Sequence, residues 1–280
     1  MIGGTKRPVV FLFAGLTSDL AELSALRIGC QDALSTVPIG YPHWTEIRSQ
    51  GLKLDDFVAH CQQQIEAHPS PGPKFLAGYS FGGHIAFAVA AELEASGATV
   101  GRLGLLDTAA TPAIDCRPRS ASRRLRDLAN AFRAGDLDSQ VGRIIAGLMR
   151  FSGYDWPLRL AARLRNVRLP RNMGKHIDLA LQMHFNFQIL LELLDRLSRP
   201  APPHGFPAVL FRCVNHDPDE PDDLQWDRHL AHLRIIPISG DHLSLMDPPN
   251  IASLSKAFSS AMSDAPARPG ESRGQVHMTS

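Results

Sequence analysis

The stretch Phe75-Leu76-Ala77-Gly78-Tyr79-Ser80-Phe81-Gly82-Gly83 is an apolar run that breaks at a serine flanked by glycines. Residues 78–82 fit the pattern G-x-S-x-G, in which a serine on a tight strand-to-helix turn projects its hydroxyl beyond the edge of a sheet. A side chain at Gly78 or Gly82 would collide with the neighbouring strand or helix, and the strained turn favours residues without Cβ. The stretch therefore predicts a strand, a turn with a nucleophilic serine, and a helix.

The flanking residues strengthen this prediction, because G-x-S-x-G alone also occurs by chance in unrelated chains. Residues 75–79 have the composition of a short buried strand. Residues 83–93 are apolar on nearly every side, as expected of a helix buried against a sheet. The alternative is a glycine-rich turn in an ordinary βα unit, and we prefer the nucleophile interpretation.

The composition is that of an ordinary globular protein. The chain has 280 residues, 44% hydrophobic and 20% charged, which suits one large α/β domain with an insertion or two small domains. A formal net charge of +1 gives no overall attraction to nucleic acid or to a membrane surface, and no apolar run approaches the roughly 18 residues of a membrane span. Four scattered cysteines indicate reduced, buried thiols in a cytoplasmic protein: Cys30, Cys61, Cys116 and Cys213.

Strand and helix signals alternate over most of the chain. Such alternation is typical of βαβ units, so we expect a parallel sheet with helices on both faces. Catalytic groups in such sheets lie at the carboxyl ends of the strands. The predicted strands are residues 8–13, 36–39, 75–79, 100–106, 206–212 and 233–238, and the predicted helices are residues 19–28, 55–67, 83–93 and 249–262.

The strand signal stops between residues 112 and 203. Helices are predicted there over residues 120–134, 137–151, 158–164 and 176–197, with prolines at both ends of the block. We interpret the block as a helical lid inserted next to the sheet edge that carries the serine. The predicted organisation is a first core part of residues 1–111, the lid of residues 112–203, a second core part of residues 204–263 and a disordered tail of residues 264–280.

A serine hydroxyl needs an imidazole to take its proton, and the imidazole needs a carboxylate to orient it. His242 follows the last strand in a short Gly-Asp-His loop, which brings it to the same edge as Ser80. Asp107 and Asp217 are the candidate acids, because each follows a strand, and the order Ser, Asp, His more often places the acid where Asp217 stands. We favour Asp107, which ends an apolar strand where an unpaired carboxylate would be costly, whereas Asp217 lies in an acidic, solvated run. His84 is interpreted as structural.

Two backbone N–H groups should form an oxyanion hole for the tetrahedral intermediate. The first is that of Phe81, directly after the nucleophile. The second should come from the loop after the first strand, where we prefer Leu16 to Gly15. No metal site is predicted, because the acidic run at residues 216–223 lacks the ordered ligand spacing of a calcium loop.

With these motifs, the chain resembles the thioesterase domains of polyketide synthases and nonribosomal peptide synthetases, within the α/β-hydrolase superfamily. The resemblance covers roughly residues 8–262 and rests on four segments: Gly78-Tyr79-Ser80-Phe81-Gly82-Gly83, Leu93-Glu94-Ala95-Ser96-Gly97, Leu105-Leu106-Asp107-Thr108 and Gly240-Asp241-His242-Leu243-Ser244-Leu245-Met246. It implies the α/β-hydrolase fold with a helical lid, and it implies Ser80 as nucleophile, His242 as base and Asp107 as acid.

The resemblance further implies acyl transfer from the phosphopantetheine arm of an acyl or peptidyl carrier protein to Ser80, followed by hydrolysis or cyclisation. No other cofactor is expected. Since the first strand begins near residue 8, we expect no carrier domain before it, and hence a free-standing enzyme or an excised terminal domain. The alternatives are a proofreading (type II) thioesterase, an acyl-coenzyme A thioesterase and a carboxylesterase. A non-catalytic binding module would not need to retain all three catalytic residues.

Apolar residues of the predicted lid are candidates to line the acyl pocket, namely Phe151, Trp156, Met183, Phe185 and Phe187. They could equally pack the lid helices together. The lid is also rich in arginine, with few acids among residues 117–175. This pattern fits either a solvated helical surface or a surface that receives an acidic carrier protein and the phosphate of its arm.

The carrier hypothesis predicts the effect of charge reversal in the lid. The double variant Arg123→Glu/Arg124→Glu should raise KM for carrier-bound substrate about tenfold, equivalent to about 1.4 kcal/mol of lost binding, because it replaces attraction by repulsion. Hydrolysis of a small uncharged ester should stay unchanged. Steady-state kinetics on both substrates test this, and equal effects on the two would contradict the hypothesis.

Overall fold

This computed structural model describes residues 7–111, 171–215 and 220–263. Within these ranges six strands form one sheet in which every neighbouring pair is parallel. The strands are β1 (Val9–Phe13), β2 (Ser35–Ile39), β3 (Lys74–Tyr79), β4 (Val100–Leu106), β5 (His204–Cys213) and β6 (Leu230–Ile238). Their order across the sheet is β2-β1-β3-β4-β5-β6. The predicted parallel sheet is confirmed.

Helices connect these strands. They are α1 (Ser24–Cys30), α2 (Trp44–Gln50), α3 (Leu54–Ala67), α4 (Phe81–Ala95), α5 (Arg171–Leu197) and α6 (Asn250–Ser263), with short 3-10 helices at Leu20–Leu23 and Trp226–Arg228. The helix predicted over residues 19–28 is thus a 3-10 turn followed by α1. Helix α2 was not predicted from the sequence, and α5 begins earlier than predicted.

Helices cover both faces of the sheet, as predicted. Side chains alternate along β1, so that Phe11 and Phe13 join one buried cluster, while Val10 and Leu12 join the other. The first cluster includes residues of α3, α4 and α5. The second includes residues of α1 and α6. Because both faces are buried, the strands read as continuous apolar runs in the sequence.

The strand order reverses at β1, which has β2 on one side and β3 on the other. The chain therefore leaves β1 toward the face of α1 and leaves β3 toward the face of α4. Ligands of open α/β sheets bind in the crevice that such a reversal leaves at the carboxyl ends of the strands. The loop after β1 and the turn after β3 flank this crevice.

Two glycines allow helix α4 to approach the sheet. A Cβ on Gly82 would lie 2.2 Å from the carbonyl oxygen of Phe13 and 2.4 Å from that of Ala14. A Cβ on Gly78 would lie 2.0 Å from the carbonyl oxygen of Gly82. The predicted steric need for glycine on both sides of Ser80 is confirmed.

Helix α5 lies in the segment predicted to be a lid, yet it also contributes to the core. Its residues Ile189, Leu190 and Leu193 are buried in the same cluster as α3 and α4. The other predicted lid helices, at residues 120–134, 137–151 and 158–164, lie outside the described residues, as does the predicted tail. The division into core, lid and tail stays a prediction.

The described cysteines Cys30, Cys61 and Cys213 are buried and free, in agreement with the sequence prediction, while Cys116 lies outside the described residues. Among the described helices, none combines the length and the apolar character needed to cross a membrane. The same part of the chain contains no group of three or more His, Cys, Asp or Glu side chains arranged to hold a metal ion.

The close approach at Gly82 predicts that Gly82→Ala is strongly destabilising. The new methyl group would meet two backbone carbonyls, which cannot move aside as a side chain can, so we expect a loss of at least about 2 kcal/mol in the free energy of unfolding. Urea denaturation measures this loss. The matched control is Gly205→Ala on β5, where the nearest atom to the new Cβ is 3.8 Å away. Equal stability of the two variants would contradict the steric argument.

Candidate active site

Ser80 occupies a strained turn between β3 and α4. Its backbone has φ 54° and ψ −120°, a conformation rare for residues other than glycine. Neighbouring groups hold it there: the Ser80 N–H donates to the Leu106 carbonyl at 3.2 Å, and the Ser80 carbonyl accepts from the Gly83 N–H at 3.0 Å and from the Thr108 hydroxyl at 3.1 Å. The turn is therefore fixed on both sides of the serine, at the carboxyl end of the sheet.

His242 lies between Ser80 and Asp107. Its Nε2 is 3.0 Å from Ser80 Oγ, and its Nδ1 is 2.8 Å from Asp107 Oδ2. With the ring proton on Nδ1 donated to Asp107, Nε2 is free to accept the serine proton. The structure thus brings together the three residues predicted as nucleophile, base and acid.

The Asp107 carboxylate is buried and hydrogen-bonded through both oxygens. Its side chain has no exposed surface. Oδ1 accepts from the Cys213 N–H at 2.9 Å, and Oδ2 faces His242. The backbone is in the left-handed region at φ 48°, and its N–H donates to the Phe211 carbonyl at 2.9 Å. Strand β5 and His242 together therefore satisfy a carboxylate that would otherwise be costly to bury. The alternative acid, Asp217, lies outside the described residues.

Tyr79 contacts His242 through its hydroxyl and its ring. Its hydroxyl donates to the His242 carbonyl at 2.5 Å, and its ring stacks on the imidazole with 5.1 Å between centroids. Burial raises the pKa of Tyr79, which keeps the hydroxyl protonated and able to donate. This role of Tyr79 was not predicted from the sequence, although its place directly before Ser80 was a usable signal.

The loop after β1 offers the second oxyanion donor. The Ser18 N–H donates to the Gly15 carbonyl at 3.1 Å, which closes a turn over residues 15–18. The Gly15 N–H donates to the Glu22 carboxylate. The Leu16 N–H has no hydrogen-bond partner among the described residues. This geometry agrees with the preference for Leu16 over Gly15, and the oxyanion assignment stays a prediction.

The other predicted donor, the N–H of Phe81, belongs to the first residue of α4. The first N–H groups of a helix have no partner within the helix, and the helix dipole favours negative charge there. Because a Cβ on Gly82 would collide with the carbonyls of Phe13 and Ala14, the start of α4 lies directly against the end of β1 and the loop that follows it. Both predicted donors therefore flank the same crevice.

His84 takes no part in this arrangement. Burial lowers its pKa to about 4, so the ring is neutral at pH 7. Its Nδ1 lies 3.3 Å from the Ser80 carbonyl oxygen, and its ring packs near Trp226. These contacts agree with the structural interpretation of His84.

The predicted acyl-pocket residues are only partly described. Phe151 and Trp156 lie outside the described residues. Met183 is half-buried on α5. Phe185 stacks on Trp44 with 6.3 Å between ring centroids, and both Phe185 and Phe187 pack against the core cluster. These contacts are with the core and not with other lid helices. Both the acyl-pocket assignment of Phe151, Trp156, Met183 and Phe187 and the alternative that these residues pack the lid helices together stay predictions.

Sequence reasoning missed Glu22 and Asn186, which hydrogen-bond to the loop after β1, and Gln182, which hydrogen-bonds to Asn186. Gln182 and Asn186 are buried amides one helical turn apart on α5. Their i, i+4 spacing on the face that continues with Ile189 and Leu193 was a signal, because polar residues on an apolar helix face need partners when buried.

Comparison with known proteins finds similarity in the part of the chain that carries the nucleophile turn. A family model described as a thioesterase domain matches residues 43–143, which include Ser80 and Asp107. Enterobactin synthase component F of Escherichia coli (strain K12) is 34% identical over 102 residues, which are 36% of this chain and 8% of that protein. The chain therefore spans a small fraction of this relative.

Solved structures share the fold at low sequence identity. A four-domain nonribosomal peptide synthetase, AB3403, bound to AMP and glycine, has a TM-score of 0.64 at 20% identity, covering 92% of this chain and 20% of that chain. The Vlm2 thioesterase domain bound with a dodecadepsipeptide has a TM-score of 0.59 at 19% identity, covering 92% and 96%. The sheet and its helices thus have the α/β-hydrolase type of fold that these thioesterase structures share.

The chain thus resembles the thioesterase domains of nonribosomal peptide synthetases and polyketide synthases, as its motifs predicted. The family match indicates hydrolysis of thioester bonds as the reaction class.

The hydrogen bond between Asp107 and His242 predicts the effect of Asp107→Asn. The amide can present an N–H to the imidazole, which places the ring proton on Nε2 and blocks proton transfer from Ser80, so kcat should fall about 10⁴-fold. Hydrolysis of a small thioester measures this effect. Asp222→Asn, with a side chain 90% exposed, is the matched control and should leave kcat unchanged. A similar loss in both variants would refute the assigned role of Asp107.

Proposed function

We propose that the chain is a serine thioesterase that releases an acyl, polyketide or peptidyl chain from the phosphopantetheine arm of a carrier protein. The observation that carries this proposal is the hydrogen-bonded series Ser80–His242–Asp107, with separations of 3.0 and 2.8 Å. The thioesterase family match supports the reaction class. Similarity to a component of enterobactin synthase supports the substrate class.

Acylation begins when Ser80 Oγ attacks the thioester carbonyl carbon and His242 Nε2 takes the hydroxyl proton. Asp107 stabilises the resulting imidazolium through Nδ1. The carbonyl oxygen becomes an oxyanion that accepts hydrogen bonds from the N–H groups of Phe81 and Leu16. Collapse of this intermediate breaks the carbon–sulfur bond, the imidazolium gives its proton to the leaving thiolate, and the acyl group stays on Ser80.

Deacylation repeats these steps with a new nucleophile. Water, or a hydroxyl or amine of the acyl chain itself, gives its proton to His242 and attacks the ester carbonyl. The second tetrahedral intermediate collapses, the imidazolium returns a proton to Ser80 Oγ, and the product leaves as a free acid or as a ring. Exclusion of water from the acyl-enzyme decides between these products.

The proposed partner is an acyl or peptidyl carrier protein, which presents the substrate on its phosphopantetheine arm; no other cofactor takes part. The arginine-rich segment of residues 117–175 is the proposed contact surface for the acidic carrier and for the arm's phosphate. Three buried, free cysteines support a reducing, cytoplasmic location. A proofreading thioesterase and an acyl-coenzyme A thioesterase would use the same three catalytic residues and differ in the preferred donor.

Mass spectrometry of the purified protein mixed with acylated carrier protein, or with acyl-coenzyme A, tests the proposal. We expect kcat/KM for the carrier to exceed that for the coenzyme A ester at least about tenfold, because only the carrier adds protein contacts to the shared phosphopantetheine. Ser80→Ala should lower kcat by about 10⁴-fold or more, because no acyl-enzyme forms.

The product mass distinguishes the acid from the ring. Equal or better turnover of the coenzyme A ester would replace the carrier proposal by a free acyl-thioester hydrolase. Turnover that survives Ser80→Ala would overturn the nucleophile assignment.

A further inference from the structure

Asn186 joins helix α5 to the loop after β1. It is completely buried, and its Nδ2 donates to the Leu16 carbonyl at 2.8 Å and to the Ser18 hydroxyl at 2.7 Å. Ser18 is in the left-handed region at φ 59°, which is unfavourable for a serine without such support. One side-chain amide therefore holds two positions of the turn over residues 15–18.

Gln182, one helical turn earlier on α5, orients Asn186. Its Nε2 donates to Asn186 Oδ1 and to the Pro42 carbonyl, each at 3.1 Å, and its Oε1 accepts from the Trp44 N–H at 2.8 Å. A backbone N–H can only donate and a carbonyl can only accept, so the groups at the two ends of this series define which way each amide faces. The two amides are thus locked in a single arrangement.

The turn over residues 15–18 fixes the direction of the Leu16 N–H. The Gly15 carbonyl and the Leu16 N–H belong to one planar peptide group, so they point in opposite directions. The Gly15 carbonyl is held by the Ser18 N–H, and Ser18 is held by Asn186. Asn186 also holds the Leu16 carbonyl, on the other side of the same residue. Both peptide groups of Leu16 are therefore fixed, and its N–H is left for a ligand.

The opposite side of the loop is held independently of α5. The Glu22 carboxylate accepts from the Gly15 N–H and, at 3.1 Å, from the Thr17 hydroxyl. The Tyr41 hydroxyl donates to the Ala14 carbonyl at 2.8 Å. Asn186 is thus the contribution of α5 to a loop that other elements support from the other side.

We propose that Asn186, oriented by Gln182, is a positioning residue that aims the Leu16 N–H at the oxyanion of the tetrahedral intermediate. This inference rests on the proposed function. It assigns to α5, within the segment predicted as a lid, an indirect part in transition-state stabilisation, through the loop after β1.

Asn186→Leu keeps the approximate volume of the side chain and removes its hydrogen bonds. We expect kcat to fall about 10- to 100-fold with KM within about twofold, because an oxyanion donor acts mainly in the transition state. The matched control is Gln188→Leu, an exposed amide on the same helix, which should leave kcat unchanged. Comparable losses in the two variants, or a change in KM alone, would overturn the inference.

Coupling between the two amides gives a second readout. Gln182→Leu should lower kcat less than Asn186→Leu does, because the contacts of Asn186 with the loop remain. The double variant should be no slower than Asn186→Leu, since Gln182 acts on the loop through Asn186. Additive losses in kcat would contradict this series.

A second variant is needed if Asn186→Leu does not fold, as judged by circular dichroism. Ser18→Ala removes one of the two Asn186 contacts with the loop and should lower kcat by a smaller factor. An unchanged kcat in Ser18→Ala would count against the inference.

Hydrogen–deuterium exchange separates this inference from the proposed function, since it needs no substrate. The peptide covering residues 14–20 should exchange at least about tenfold faster in Asn186→Leu than in the wild type or in Gln188→Leu. Unchanged exchange would overturn the positioning role even in an active thioesterase. If the wild type does not turn over thioesters but exchange is faster in the variant, the proposed function is rejected. The contact by which Asn186 holds the loop would in that case still be supported.

Discussion

The contact between the start of helix α4 and the end of strand β1 is the constraint on which the site depends. It exists because Gly82 lacks a Cβ, which would lie 2.2 Å from the carbonyl oxygen of Phe13. The contact brings the helix terminus against the loop after β1 at the point where the strand order reverses. Ser80 must turn sharply to connect β3 to a helix so placed, and its backbone strain is the local cost of that geometry.

The two charged partners of the site differ in solvent exposure. The Asp107 side chain has no exposed surface, whereas that of His242 is 43% exposed. Water can therefore reach the imidazole but not the carboxylate, which depends on the Cys213 N–H and on His242. This asymmetry holds the carboxylate in place and leaves the imidazole accessible.

The sequence predicted the residues whose roles follow from local pattern. Strand ends placed Ser80, Asp107 and His242 at one edge, and the cost of burying a carboxylate favoured Asp107. Helix α2 was missed because its start depends on a His43–Glu46 capping box, an unusual use of histidine. Gln182 and Asn186 were missed because their partners, Trp44 and Leu16, lie on distant segments, and only the folded chain shows that α5 reaches them.

The hydrogen bonds of the site join parts of the chain that are far apart in sequence. Ser80 and His242 are 162 residues apart, and Asn186 is 170 residues from the loop carbonyl that it holds. Such contacts form only after large loops close, which makes folding slow. During synthesis from the N-terminus, Ser80 emerges long before His242. The proposed catalytic series consequently cannot form until strand β6 has joined the sheet, so it is among the last features of the fold to form on the ribosome.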